Sequence, residues 1–142
     1  LVNFPNAEVS ITATSTYTGS TGSLTFSYSN AVVKVYVMLA ARNDSGTDAF
    51  MEDIIIERST SPTFTSAATI KINQSHVSDA RVKVPQTNGE VTQCFFFVDN
   101  LAKSATTQYY RFRFTSAGST IKVKSRASSM YLEAVNGIAS SQ

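Results

Sequence analysis

The chain has 142 residues, 42% of them hydrophobic and only 15% charged, and a net charge of +2. That length suits one domain that buries its own core, and the single cysteine, Cys94, excludes a scaffold stapled by intrachain disulfides. No apolar run approaches the roughly 20 residues of a membrane-spanning helix, so no membrane insertion is expected.

Ser and Thr fill about a quarter of the chain, well above ordinary usage. With nine Phe and six Tyr, this composition suits strands and is common in extracellular or virion surface proteins. Charge is unevenly spread. Residues 1–100 carry six bases against nine acids, whereas residues 101–142 carry six bases against Glu133 alone. The chain opens on Leu1 without an initiator Met or signal peptide, as expected of a mature product or a fragment.

Residues 1–6 read as an N-terminal arm. Ala7, Val9, Ile11 and Ala13 then alternate with Glu8, Ser10, Thr12 and Thr14, the period of two that marks a half-buried strand. Thr18-Gly19-Ser20-Thr21-Gly22 reads as a turn, and Leu24, Phe26 and Tyr28 give a second strand. Residues 31–41 set Val33, Val35, Val37 and Leu39 against Lys34, Tyr36, Met38 and Ala40. After a polar loop, 42–48, a strand over 50–58 carries Ile54-Ile55-Ile56, apolar on both faces. Ile70 and Ile72 mark a weaker strand, 74–80 a turn or one helical turn, and Val82 and Val84 another strand. Asn88-Gly89 is a hairpin signal. Residues 91–98 are again apolar on both faces, Cys94, Phe96 and Val98 against Phe95 and Phe97. Cys94 reads as a buried, inert thiol.

The clearest pattern lies in residues 108–126. Tyr110, Phe112 and Phe114 share a face with Ile121 and Val123; Tyr109, Arg111 and Arg113 share the other with Lys122, Lys124 and Arg126. Ser116-Ala117-Gly118, with a glycine for a left-handed position, reads as the hairpin between them. A closing strand, 128–135, sets Met130, Leu132 and Ala134 against Ser129, Tyr131 and Glu133, and residues 136–142 read as a frayed end.

About ten short strands without a helical period predict an all-β, antiparallel two-sheet sandwich forming one domain over 1–142. Such a sandwich needs one apolar face per strand. Three strands with two apolar faces predict a further burial surface between subunits, built from Tyr36, Met38, Ile55 and Phe95 or Phe97, with Tyr109 at its edge.

The chemistry of catalysis is thin. His76 is the sole histidine and lacks the context of a nucleophile elbow, so no enzyme and no cofactor are expected. Asp44 and Asp48, flanking Gly46, are a calcium candidate beside the plainer reading of a solvated acidic loop. Arg111, Arg113, Lys122, Lys124 and Arg126 form a basic stripe that could hold sulfate, phosphate or sialic acid carboxylates. The alternative is a solvated face, or one paired with acids of a neighbouring subunit. Nucleic acid is not expected, since it would want a larger basic excess and more aromatics on that face than Tyr109 and Tyr131 supply. Asn43-Asp44-Ser45 and Asn73-Gln74-Ser75 have sequon spacing.

The order of features carries a resemblance. Val33 to Ala41 followed by Ile54-Ile55-Ile56-Glu57-Arg58 resembles the valine-rich strand, loop and isoleucine strand ending in Arg of phage and marine-virus fibre domains. Phe95-Phe96-Phe97-Val98-Asp99, a loop, and Tyr109-Tyr110-Arg111-Phe112-Arg113 resemble their next strand pair. Residues 119–124 and 129–134 fit the last two strands. Those domains are similar to the jelly rolls of tumour necrosis factor and complement globular heads, which are homotrimers. The resemblance implies a jelly-roll sandwich and a non-catalytic virion structural protein, the globular trimeric tip or decoration module of a viral fibre. It would present loops to a host glycan or a capsid, at the virion surface or in an extracellular setting. Residues 98–114 are also similar to a fibronectin type III segment, although the Trp usual there is missing. Two other functions stand beside the first. One is a subunit of an extracellular filament whose residues 1–14 pair with a neighbour's sheet edge; the other is a monomeric carbohydrate-binding module.

Overall fold

The computed structural model describes residues 1–4, 8–26, 31–71, 81–100, 107–124 and 127–135; Arg126, His76, the Asn73 sequon and residues 136–142 lie outside them. The described residues form twelve strands: β1 (Val2–Asn3), β2 (Val9–Ile11), β3 (Thr16–Thr18), β4 (Gly22–Thr25), β5 (Val32–Asn43), β6 (Ala49–Ser59), β7 (Ala68–Lys71), β8 (Val82–Val84), β9 (Gly89–Asp99), β10 (Thr107–Ala117), β11 (Ile121–Val123) and β12 (Ser129–Val135). The period of two carries through. On β10, Gln108, Tyr110, Phe112, Phe114 and Ser116 are buried while the residues between them are half-buried.

Several short strands lie end to end and act as one ribbon. In the first sheet, β9 pairs with one edge of β5, and β12 and β11 pair with successive stretches of the other. Beyond them, β1 pairs with β12 and β2 with β11. In the second sheet, β6 and the pair β3 and β4 flank β10, and β7 and β8 lie along the far edge of β6. Counting β1/β2, β3/β4, β7/β8 and β11/β12 as single ribbons gives eight, ordered first–eighth–third–sixth and second–seventh–fourth–fifth. The fold is therefore an all-β, antiparallel sandwich of the jelly-roll type, in which the chain passes from sheet to sheet at each main turn except that from β6 to β7.

That topology corrects both expected hairpins. β10 belongs to the second sheet and β11 to the first, so Ser116-Ala117-Gly118 is a corner between sheets. Gly118 does take the left-handed conformation, with φ of +83°, and a Cβ there would lie 2.6 Å from the Asp48 carbonyl oxygen. Likewise β8 pairs with β6 and β9 with β5, so the turn at Asn88 also crosses the sandwich. Residues 1–14, expected in the filament reading to pair with a neighbour's sheet edge, place β1 and β2 in their own chain's first sheet.

The core is an aromatic chain between the sheets. Phe112 sits at its centre, with ring centroids 5.4 Å from Phe95, 6.3 Å from Phe97 and 6.0 Å from Phe114. Tyr17 continues it at 5.2 Å from Phe114, and Phe4 lies 6.2 Å beyond Tyr17. Val33, Val35, Val37 and Leu39 of β5 and Ile121 and Val123 of β11 close the opposite wall. On β6 a bulge resolves part of the doubly apolar pattern. The pairing with β10 slips between Ile55 and Glu52, and Asp53 adopts a φ of 50°. The slip turns both Met51 and Ile54 toward the core.

Candidate functional site

The basic stripe does not assemble. Arg111 and Arg113 project from the outer face of the second sheet, while Lys122 and Lys124 belong to the first sheet, because the corner at Gly118 separates their strands. Each is also held by acid from its own chain. Arg111 Nε donates to Glu57 Oε1 at 2.8 Å, and Arg113 lies 3.6 Å from Glu57 Oε2. The Arg111 guanidinium also stacks on Phe64, 4.2 Å from the ring centre. Lys122 Nζ donates to Asp44 Oδ2 at 2.8 Å, and Lys124 pairs with Glu90. Four of the five expected anion ligands are thus paired with their own chain's acids on two different faces, and Arg126 lies outside the described residues.

The calcium candidate separates in the same way. Asp44 is shared by Lys122 and Arg42, whose Nε lies 2.7 Å from Oδ1. The hydrogen bond from Lys122, then that from Arg42, holds its carboxyl below the usual carboxylate value. Asp48 instead accepts from the Gln86 backbone N–H at 3.1 Å and faces Lys83, and both lower it. Among the described residues no three of His, Cys, Asp or Glu gather as a metal site. Asn43 is also spoken for. It is buried, its Nδ2 donates to the carbonyls of Thr47 and Val84, and its Oδ1 accepts from Ser45. That side chain organises the loop and is not presented for glycosylation.

The expected subunit surface needs redrawing. Ile55, Phe95 and Phe97 are 2%, 6% and 0% exposed within the single chain. Phe95 and Phe97 pack on Phe112, and Ile55 is covered on the outer side of the second sheet, opposite Arg113 in register. Tyr109 also belongs to that second sheet, so it cannot border Tyr36 and Met38 on the first. The set of β9 that leaves the core is the other one. Phe96 is 45% exposed, and Cys94, expected to be buried, is exposed too.

What the fold builds is a row across three strands. Phe96 on β9, Tyr36 on β5 and Tyr131 on β12 are direct cross-strand partners, with ring centroids 4.9 Å and 6.1 Å apart. The next row joins Cys94, Met38 and Ser129, and Cys94 Sγ lies 3.7 Å from Met38 Sδ. Tyr36, Met38 and Tyr131 are 43%, 39% and 45% exposed. The surface between them dips into an open depression of about 230 Å³. That is smaller than the roughly 300–1,000 Å³ of small-molecule clefts, and its lining is almost wholly apolar. It is an open apolar face and not an enclosed cleft. Sequence reasoning found Tyr36 and Met38 but passed over Phe96 and Tyr131; their signal was that each stands opposite Tyr36, which needs the register.

No family model matches this sequence, and no curated protein matches it significantly. Structural likenesses exist at low identity. A chain of infectious bursal disease virus, Gt strain, aligns with 96% of this chain and 31% of its own at 11% identity and a TM-score of 0.48. The enzymatically active domain of tailspike protein 4 from bacteriophage CBA120 aligns with 89% of this chain and 15% of its own, at 12% identity and a TM-score of 0.33. TmCBM61, solved with β-1,4-galactotriose, aligns with 89% of this chain and 70% of its own, at 9% identity and a TM-score of 0.32. The chain thus spans less than a third of the length of the bursal disease virus chain. Similarity at this level does not extend to sites or activities.

Proposed function

We propose that this chain is a non-catalytic structural module of a virion, the globular tip or a decoration module of a phage fibre, which assembles with copies of itself. The observation that carries the proposal is the Phe96–Tyr36–Tyr131 row with Met38 beside it, exposed on the outer face of the first sheet. Burying one such side chain contributes about 1.5–3 kcal/mol. Four per subunit, repeated around a symmetry axis, offset an association cost on the order of 4–15 kcal/mol. A homotrimer is preferred because the resemblance to fibre domains implies one. The loops at the ends of the sandwich are then left to meet a host glycan or a capsid at the virion surface. Nucleic acid is not a partner in this reading, nor is a membrane, and no helix among the described residues is long and apolar enough to cross one.

A second reading, a monomeric carbohydrate-binding module, would use the same three rings as a platform for sugar faces. Size-exclusion chromatography with light scattering separates the two. A discrete oligomer, trimer expected, supports the structural module. A chain that stays monomeric at high micromolar concentration overturns it.

A further inference from the structure

Resting on that self-assembly, we propose that the interface is oriented by an ion pair between copies, Lys34 of one subunit with Glu133 of the next. Both residues belong to the outer face of the first sheet. Lys34 precedes Tyr36 by two residues on β5, Glu133 follows Tyr131 by two on β12, and they stand directly opposite each other in register. They form the row next to the aromatic one, on the side away from Met38.

Elsewhere on this sheet, the described cations Arg42, Lys122 and Lys124 are each paired with acid within the chain, the first two sharing Asp44 and the third on Glu90. Lys34 and Glu133 differ. Half-buried, opposite in charge and one strand apart, they form no ion pair with each other or with any other described residue. When the aromatic row is covered, both charges lose water on one side, and a charge that is desolvated and unpaired is costly. A second copy of this chain brings the matching charges with it. Around a three-fold axis the contacts are head-to-tail, so Lys34 of each subunit meets Glu133 of the next and the same pair recurs at every contact. A positive and a negative group side by side at the rim can therefore satisfy each other across the contact and fix its rotation.

The test is a charge-reversal cycle read by light scattering across a concentration series, with circular dichroism melts to check folding. Lys34→Glu and Glu133→Lys each place like charges together and should weaken association by about tenfold or more. The double variant Lys34→Glu/Glu133→Lys should restore it. Single reversals that assemble like the wild type, or a double variant as dissociated as the singles, overturn the pairing. If a reversal fails to fold, the neutral pair Lys34→Met/Glu133→Gln decides. Association of the wild type should weaken with salt, and the neutral pair should lose that dependence; an unchanged salt response overturns the proposal. Phe96→Asp separates this inference from the reading beneath it. Dissociation by Phe96→Asp with no effect of Lys34→Glu removes the ion pair and leaves the apolar interface. A monomeric wild type, whatever else the face then binds, removes both.

Discussion

The Tyr110 hydroxyl donates to Asp99 Oδ2 at 2.8 Å inside the sandwich, and Arg58 Nη1 meets the other carboxylate oxygen at 2.6 Å. The three residues stand near the same end of β10, β9 and β6, in two different sheets, so the network ties the sheets together where the aromatic core stops. The Asp99 side chain is fully buried and that of Arg58 is 13% exposed. Removing one member leaves a charge in the interior without its partner. Asp99→Ala should cost about 3–5 kcal/mol in denaturant unfolding, and Tyr110→Phe about 1–3 kcal/mol because it deletes one donor. Equal, small effects would mean that water reaches the network.

Phe112 touches three other rings, two on β9 and one on its own strand. Phe112→Ala should destabilise the chain by about 3–5 kcal/mol, the range for aromatic truncation in a close-packed core. Chemical denaturation measures it directly.

Neighbouring phenylalanines on β9 should behave in opposite ways. Phe95→Asp buries an unpaired charge against Phe112 and should abolish folding, seen as loss of the cooperative melt. Phe96→Asp points into solvent and should leave the melt nearly unchanged while reducing the oligomer to monomers.

Two pH limits follow from the shifted groups. Asp44, Asp48 and Glu90 lie below their ordinary values because of hydrogen bonds from Lys122, the Gln86 backbone and Lys124 respectively. Their contribution is complete above the unfolded carboxylate values, 3.8 for Asp and 4.5 for Glu, and is lost as pH falls through the lower folded values. Tyr110 is shifted the other way, chiefly by burial and then by the Asp99 charge. Stability should therefore also fall as pH rises past the ordinary tyrosine value of 10.0, where the unfolded chain ionises first. Melting temperatures across pH 2–11 test both arms; Asp44→Asn should flatten part of the acid arm, and Tyr110→Phe the alkaline one.

The inward faces of β5, β10 and β11 were legible in the sequence because a period of two assigns side chains without knowledge of partners. Partner choice was not legible. The residues around Gly118 and Asn88 encode a local backbone path, and the same path can return a strand beside its predecessor or carry it over to the other sheet. That one ambiguity turned the cations of residues 111–124 into a single stripe, when Arg111 and Lys122 face away from each other. On β9 the alternation offered two apolar sets, and only the aromatic core around Phe112 decides between them. Tyr17 was missed because a three-residue strand among Thr, Ser and Gly gives no repeat. Glu57 was visible as the end of an isoleucine run, but its role in holding Arg111 and Arg113 depends on the pairing of β6 with β10.

The position of β5 also bears on how the chain can be made. As residues emerge in order from a ribosome, β5 appears with both hydrogen-bonding edges open, because its neighbours β9, β11 and β12 are all synthesised later. Until then its valine face and the Tyr36–Met38 face are both uncovered, and β6 likewise waits for β10. Folding dominated by such distant pairings is slow, about milliseconds to seconds. A nascent chain with open edges and apolar faces is prone to mispairing with its neighbours on the same message. For a chain proposed to assemble with its own copies, crowding on one polysome brings partners close at the moment when a wrong pairing is easiest.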